Sequence, residues 1–495
     1  MVGTSATMAM LLVGAALALH ATSDQALTPR NLPQRSEHEV RAAHEDPAPP
    51  GPVGWEAVNN GNMPRARGTM GFCTHPTFGL LVFGGEVSET EFVDETWLLP
   101  ATPGTWQLQD YAPGHKPSNR SNPAMARYNE GCLLFGGIGV SPGYVVYSDT
   151  WFWTPFQGWR QLLTSPEQRA LPHPSPRFYH TLNELSDGNL FLFGGRHGLY
   201  GTTDASLGDA WTWSQGRWHR APIPDRLPAG SITPEMTPDA QLRHQPRARW
   251  GHGMACGLTN TGPATGNDFT GFGVPECVMF GGSQFGDDDY FQDTWILKRE
   301  FERGNFTNRY LWEQMNSNLP SPHGRWCFSM ATCGSRVLMI GGSTDFRVSA
   351  DETWMWSPTI RPVELPEHPP AHQGEWNRLY GSDSILEGDW PDGVRPDAAG
   401  PYRITGFGIG SWGALGQSDV ILYGGVKNAT GGLYMHKGWE TSEMFRWSCP
   451  PEPAPPPASS PPPPPPSLPP LGEPGSDCTL TTPPTCGPYA PSSDR

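Results

Sequence analysis

A short apolar run that ends in two glycines recurs six times along this 495-residue chain. Four consecutive apolar residues indicate a strand that is buried on both faces. The glycines that follow permit positive φ and a close approach between neighbouring backbones. The spacing between copies varies while the motif is retained, which predicts six copies of one structural unit joined by loops of different length. The six motifs end at Gly85, Gly137, Gly195, Gly282, Gly342 and Gly425.

Three further segments accompany the glycine pair in five of the six copies, and the first of them is present in all six. An arginine-led segment precedes it, beginning at Arg67, Arg127, Arg177, Arg249, Arg325 and Arg403. An acid-x-Trp segment follows it in five copies, with its tryptophan at Trp97, Trp151, Trp211, Trp295 and Trp354. One more tryptophan closes each of these five units, at Trp106, Trp159, Trp218, Trp312 and Trp376. Each unit therefore predicts four short antiparallel strands, and six such sheets bury their faces when they are arranged radially.

The sixth unit departs from this pattern and has no closing tryptophan strand of its own. After Trp447 the chain turns into proline, but Trp55 near the N-terminus is an unpaired closing tryptophan. We expect the strand around Trp55 to complete the sixth sheet, because this removes an open edge.

Since each arginine is present once per unit, we interpret the arginines as structural. We likewise assign the repeated tryptophans to the scaffold, and expect His180 and His252 to orient turns.

The repeated glycine pairs with their matched tryptophans resemble the kelch repeat over residues 54–449. The resemblance implies an all-β, six-bladed kelch-type β-propeller, with blade six closed by the N-terminal strand around Trp55. Some kelch-like propellers are enzymes, including copper oxidases of the galactose oxidase type, sialic acid mutarotases and nitrile-specifier proteins. The copper site of the oxidases and the iron motif of the specifier proteins are not recognisable in this sequence, and we expect no cofactor.

The two ends of the chain predict an exported protein. Residues 1–23 read as a secretory signal peptide, whose apolar stretch runs from Met8 to Leu19, with a signal anchor or a disordered leader as the alternative. Residues 24–53 read as a flexible leader. Residues 450–495 form a proline-rich tail with two cysteines, which predicts polyproline II structure. This tail serves as a stiff spacer or, if it is hydroxylated and glycosylated, as an attachment to a cell wall or matrix. No membrane span is expected in the mature chain.

The nine cysteines are compatible with an oxidising compartment. We expect disulfides between Cys256 and Cys277 and between Cys478 and Cys486. Cys327 and Cys333 are not expected to pair, because six strand residues separate two Cα atoms by about 20 Å. The pairing of the remaining cysteines stays open. Three glycosylation sequons fall in loop-like sequence, at Asn119, Asn305 and Asn428.

The net charge of −16 argues against non-specific nucleic-acid binding. We expect ligands to bind to the loops between the glycine pair and the following tryptophan strand, which project together at one end of a propeller. The candidate residues are Tyr144, Arg196, His197, Tyr200, Phe285, Tyr290, Phe346, Arg347 and Tyr434. We read the acidic turn Asp287, Asp288 and Asp289 as solvated, with calcium binding as the less favoured alternative. The sequence favours a secreted module that binds a protein or a glycan, and a propeller enzyme that acts on a carbohydrate is the alternative.

Overall fold

The computed structural model of this chain is an all-β protein with six four-stranded antiparallel sheets, as predicted. The predicted signal peptide, leader and proline-rich tail (1–23, 24–53 and 450–495) lie outside the residues that it describes. The described residues are 55–58, 61–88, 90–101, 104–140, 143–198, 205–221, 245–258, 271–284, 290–302, 305–315, 321–345, 348–349, 352–359, 373–380, 404–412, 419–430 and 437–449.

In five of the sheets, strands that are neighbours in the sheet also follow one another along the chain, apart from small inserted hairpins. Blade one contains Gly71–His75, Gly79–Phe83, Thr96–Pro100 and Gln107–Gln109. Blade two contains Ala124–Tyr128, Gly131–Phe135, Thr150–Thr154 and Gly158–Leu162. Blade three contains Thr181–Glu184, Leu190–Phe193, Ala210–Ser214 and Arg217–Arg220. Blade four contains Gly253–Cys256, Gly271–Phe280, Thr294–Glu302 and Asn305–Gln314. Blade five contains Ser329–Cys333, Arg336–Ile340, Thr353–Thr359 and Gln373–Tyr380.

Blade six is built from both ends of the propeller sequence. Its first three strands are Gly408–Trp412, Asp419–Tyr423 and Met444–Ser448, and its fourth strand is Trp55–Ala57. Trp55 lies opposite Trp447 in the ladder, and the centroids of their rings are 5.4 Å apart. The prediction that a strand around Trp55 closes the sixth blade is therefore confirmed.

The first strands of neighbouring blades lie side by side around a closed ring, in which blade six meets blade one. Because all strands are antiparallel, the connections from second to third strands lie at one end, which we call the loop end. The residues that precede each first strand lie at this end too, where they bridge to the residue after the glycine pair. The tight turns of the blades lie at the opposite end, which we call the turn end.

The loop end carries the small secondary elements. Three are two-stranded hairpins: Glu86–Ser88 with Glu91–Phe92, Ile138–Gly139 with Val145–Val146, and Ser343–Asp345 with Val348–Ser349. In blade six the connection contributes the strands Val426–Thr430 and Lys437–Glu440 to a three-stranded sheet. The third strand of this sheet is Ile404–Thr405, which precedes the first strand of the blade. A four-residue helix, Pro166–Arg169, lies between blades two and three. In the part of the chain that the structure describes, no helix could span a membrane.

The hydrophobic core lies between the blades rather than in one central layer. Each apolar run before a glycine pair is fully buried, as its sequence predicted. Clusters of these residues and of the repeated tryptophans join adjacent blades. The glycine pair sits at these junctions: a Cβ on Gly136 would lie 2.5 Å from the carbonyl oxygen of Arg177 in the next blade. The N–H of Gly137 donates to the same oxygen at 2.9 Å, so the glycines are needed for close contact between blades.

The closing tryptophan of each blade faces the residue that begins the third strand of the preceding blade. In four places this residue is threonine, and the indole N–H donates to its Oγ1 at 2.9–3.2 Å. The donor–acceptor pairs are Trp159–Thr96, Trp218–Thr150, Trp376–Thr294 and Trp55–Thr353. At the equivalent position Trp312 packs in one cluster with Ala210, and Trp106 packs with Met444. Neither of these two buried indole N–H groups has an acceptor among the described residues.

Three disulfides connect the described strands. Cys256 and Cys277 link the first and second strands of blade four, which is the pair that the sequence suggested. Cys73–Cys132 joins blade one to blade two, and Cys333–Cys449 joins blade five to the residue after the third strand of blade six. Cys327 is buried and is a free cysteine. Cys478 and Cys486 lie outside the described residues.

Candidate functional site

Buried arginines hold the base of the loop end. Arg177 is fully buried and donates to the carbonyl oxygen of Gly194 at 3.0 Å. It also binds both carboxylate oxygens of Asp209, at 2.7 and 2.8 Å. Burial opposes the ionisation of Asp209, but the hydrogen bonds and charge of Arg177 hold the pKa of this carboxyl below its ordinary value. The arginine thus ties the segment before the first strand to the end of the second strand and to the start of the third strand of its blade.

The same arrangement occurs in five blades, and it confirms the structural interpretation for Arg67, Arg177, Arg249 and Arg325. The arginines that make it are Arg67, Arg120, Arg177, Arg249 and Arg325. The sequence assignment of Arg127 in blade two was wrong: Arg120 occupies the position, and Arg127 pairs with Glu184 instead. In blade six the equivalent backbone position is Ile404 rather than Arg403, because Thr405 makes the bridge to Val426 that follows the arginine in the other blades.

Six residues with a left-handed backbone conformation form a ring around the axis of the propeller. Each lies two positions after one of these arginines or, in blade six, after Ile404. Each of them has a φ between 52° and 64°. Backbone hydrogen bonds link neighbours in this ring, for example from Gly251 N–H to Tyr179 O and from Cys327 N–H to Gly251 O. Four members are not glycine, so the strain of positive φ is offset by the contacts that the ring makes. The ring consists of Thr69, Asn122, Tyr179, Gly251, Cys327 and Gly406.

Aromatic side chains cover the ring of left-handed residues where it passes through blades three to five. The indole ring of Trp250 lies 5.4 Å from the ring of Tyr179 and 5.1 Å from that of Trp326, between centroids. We call the whole buried cluster the aromatic cap, which contains Phe92, Ile138, Phe178, Tyr179, Trp250, Trp326 and Cys327. Burial raises the pKa of the Cys327 thiol, so this free cysteine is protonated at neutral pH. The cap was not predicted from the sequence, although an aromatic residue directly follows Arg177, Arg249 and Arg325.

The hairpin of blade two projects from the aromatic cap into solvent. Val140 and Val146 pack against the cap, and the ring of Tyr147 lies 4.1 Å from the Arg120 guanidinium carbon. At the tip, 52% of Tyr144 and 42% of Val145 are exposed. The hairpin therefore holds two exposed apolar side chains on a base that is packed and hydrogen-bonded.

The other predicted loop residues have different surroundings. Arg196 is fully buried and is not part of an exposed face. Its Nε donates to the carbonyl oxygen of Gly198 at 2.9 Å, and its guanidinium carbon lies 5.0 Å from the centroid of the Trp250 ring. Its neighbour His197 is exposed, and Tyr290 is half-buried against the aromatic cap. Tyr200, Phe285, Phe346, Arg347 and Tyr434 lie outside the described residues.

A central cavity of about 220 Å³ lies inside the ring of first strands. The residues that line it at the loop end belong to the left-handed ring and to the positions after it, which include His180 and His252. Burial, followed by the charge of the neighbouring arginine, lowers the pKa of both imidazoles, that of His252 to about 3. Both histidines are therefore neutral over the physiological range.

The remaining predicted sites are only partly described. The side chain of Asn119 is half-buried, and its Nδ2 lies 3.4 Å from the carbonyl oxygen of Phe92. Asn305 begins a strand next to the tip of the blade-four hairpin, and Asn428 lies within the strand Val426–Thr430, so these two sequons are not in loops. Asp287, Asp288 and Asp289 lie outside the described residues. Within the described ranges, no group of three His, Cys, Asp or Glu side chains could hold a metal ion.

Comparison with known proteins finds similarity in sequence to a curated kelch-repeat protein. An F-box/kelch-repeat protein of Arabidopsis thaliana is 24% identical over 307 residues, which is 59% of this chain and 54% of the relative. The chain thus spans about half the length of this relative. A solved structure titled "Structure of YjhT" aligns with 77% of this chain and 95% of its own, at 12% identity and a TM-score of 0.45. No family model matches the chain. The six glycine-pair repeats, the six-bladed propeller and the similarity to a kelch-repeat protein together fit the kelch-repeat β-propeller family.

Proposed function

We propose that this protein is a secreted binding module that holds a protein or glycan partner on the loop end of its propeller. The observation that carries the proposal is the exposed pair Tyr144 and Val145 on a hairpin that is held from beneath. Tyrosine is enriched at the energetic centres of interfaces, and its ring also stacks on sugars. A hairpin that is already ordered loses little conformational entropy when it binds a partner.

The contacts below the hairpin support this preorganisation. Arg120, which stacks on Tyr147, is itself held by both oxygens of Asp149 at 2.6 and 2.9 Å. The exposed tip is therefore connected through buried groups to the scaffold of blade two. By contrast, the central cavity of about 220 Å³ is smaller than the roughly 300–1,000 Å³ that is typical of small-molecule sites. This comparison favours the loop surface over the funnel as the place where a large partner binds.

The export part of the proposal rests on the sequence features of residues 1–53 and 450–495. The apolar segment Met8 to Leu19 directs the chain to the secretory pathway, and the proline-rich tail acts as a spacer or matrix anchor. Expression of the full-length chain in a plant or algal host tests this part. We expect the purified extracellular protein to begin at Asp24, and intracellular retention of the whole chain would contradict it.

Binding is tested with purified extracellular proteins and glycans in parallel arrays, using the full-length protein. The variant Tyr144→Ser/Val145→Ser should weaken binding to the captured ligand at least about 30-fold, as expected for an interface hot spot of about 2 kcal/mol. The matched control is Phe156→Ser, because Phe156 is 94% exposed and lies in a turn at the opposite end. Equal loss in both variants, or loss in the control alone, would refute the role of the loop end.

A further inference from the structure

The position directly after the left-handed ring residue differs among the blades in one chemically important way. It is occupied by the non-titrating residues Met70, Pro123, Phe328 and Phe407 in blades one, two, five and six. In blades three and four it is occupied by His180 and His252, of which only 7% and 4% are exposed. We call these six positions the hub, which therefore contains two buried ionisable groups, in blades three and four.

Each histidine fills an interface with the preceding blade. Cε1 of His180 lies 3.1 Å from the Cβ that a side chain at Gly136 would carry, and the ring stands edge-on to Phe135 at 5.6 Å between centroids. Phe328 makes the same contact with Gly281 between blades four and five. An apolar ring can thus serve this position, so blade packing alone does not require histidine.

His252 occupies the corresponding interface between blades three and four. Its Cε1 lies 3.0 Å from the Cβ position of Gly194, and its ring stands 5.5 Å from Phe193 between centroids. Its Nε2 is 3.0 Å from Oγ1 of Thr181, the residue that directly follows His180 and begins the first strand of blade three. Both histidines therefore contact blade three, and together they connect blades two, three and four.

The charged groups that face these imidazoles disfavour the addition of a proton. Beside burial, the charges of Arg177 and His252 lower the pKa of His180, whereas a backbone hydrogen bond at Phe135 and the charge of Asp209 raise it. Arg249 acts on His252, and only Asp293 opposes it. Both carboxylates are already bound by the arginine of their own blade. Phe135 and Phe193 stand edge-on to the two imidazoles. These groups do not compensate for the burial of a charged imidazolium in the closed hub.

We propose that His180 and His252 form an acid-sensitive hub, in which protonation opens the interfaces that join blades two, three and four. In the closed hub the imidazoles are almost fully buried and neutral, and in an open hub they are fully hydrated and take up protons. The direction follows from proton linkage: because the closed state binds fewer protons, its stability is complete above about pH 6.5 and falls as the pH decreases below this value.

The size of the effect follows from the same linkage. With an ordinary histidine pKa of about 6.5 in the open state and a much lower one in the closed state, each site raises the opening constant about 8-fold between pH 6 and pH 5. Two sites together raise it about 60-fold.

If the proposed function is correct, this opening also displaces the loops that follow the glycine pairs of blades two and three, which carry Tyr144 and His197. Partner binding would then weaken in acid.

Amide hydrogen exchange of the first strands of blades three and four tests the hub without any partner. After correction for intrinsic exchange rates, the opening constant of these strands should rise about 60-fold from pH 6 to pH 5 in the wild-type protein and about 8-fold with one histidine replaced. His180→Phe/His252→Phe introduces the residue found at this position in blades five and six and should remove this histidine-linked increase. His219→Phe, on the fourth strand of blade three, is the matched control and should keep it.

The same pH dependence in the double variant as in the wild-type protein would overturn the proposal. A second measurement does not depend on how well the variants fold: NMR titration of the native histidine ring protons. We expect the signals of His180 and His252 to show no protonation near pH 6.5 while the hub is closed. Midpoints near pH 6.5 for both rings in the folded protein would overturn the proposal, whether or not a binding partner is found.

Discussion

The missing threonine opposite Trp312 gives a direct test of how the blades are held together. Ala210 lies where Thr96, Thr150 and two other threonines accept an indole N–H, and Ala210 is buried in the same cluster as Trp312. We expect Ala210→Thr to raise the free energy of unfolding by about 1 kcal/mol. An unpaired buried donor costs roughly 1–3 kcal/mol, and ordering and fitting the new hydroxyl offset part of this gain. Urea denaturation followed by tryptophan fluorescence measures the change.

The control for this prediction is Ala210→Val, which adds the same volume without an acceptor. The reverse experiment is Thr150→Val, which leaves the buried indole N–H of Trp218 unpaired and should lower the free energy of unfolding by roughly 1–3 kcal/mol. In a double-mutant cycle, Trp312→Phe should abolish the advantage of threonine over valine at position 210. If valine stabilises the protein as much as threonine, or if the advantage persists without the indole, the hydrogen-bond explanation is refuted.

Three further predictions concern the scaffold. Arg177→Met should lower the free energy of unfolding by about 3–5 kcal/mol, because the carboxylate of Asp209 loses its bidentate partner. Asp209→Asn should fall in the same range, and a loss below about 1 kcal/mol in denaturation would contradict the buried pairing. Cys73→Ser/Cys132→Ser should cost about 2–4 kcal/mol in the same assay, since the disulfide closes a long loop between two blades, and an unchanged midpoint would contradict this. Cys327 should react with iodoacetamide only in denaturant, and mass spectrometry that finds it alkylated in the native protein would show that the aromatic cap is open.

The repeat made the architecture predictable because every blade repeats the same physical requirement. The apolar run, the glycine pair and the tryptophans each satisfy a contact with the neighbouring blade, so sequence spacing alone identified the second, third and fourth strands. The closing strand at Trp55 could be predicted because the sixth unit lacked one. These features depend on local sequence and on the need to bury both faces of each sheet.

Where the predictions failed, the missing information was three-dimensional. Arg127 was assigned to the repeat, whereas Arg120 precedes its glycine pair by the same number of residues as Arg325 does. Arg196 was expected on a surface because it follows a glycine pair, but that position bridges to Phe178 and is buried. A loop residue next to a strand end can belong to the core, and periodicity does not separate it from an exposed neighbour such as His197.

The pairing of Trp55 with Trp447 has a consequence for the order of folding during synthesis. The strand Trp55–Ala57 is among the first parts of the propeller to leave the ribosome, whereas its partner Met444–Ser448 is among the last. At roughly 5–20 residues per second, the early strand waits between about 20 and 80 seconds for its partner. During this interval the nascent chain exposes the apolar face of Trp55 and the open edges of blades one and five. Chaperone binding to the nascent chain should therefore concentrate in this window and end when blade six is complete.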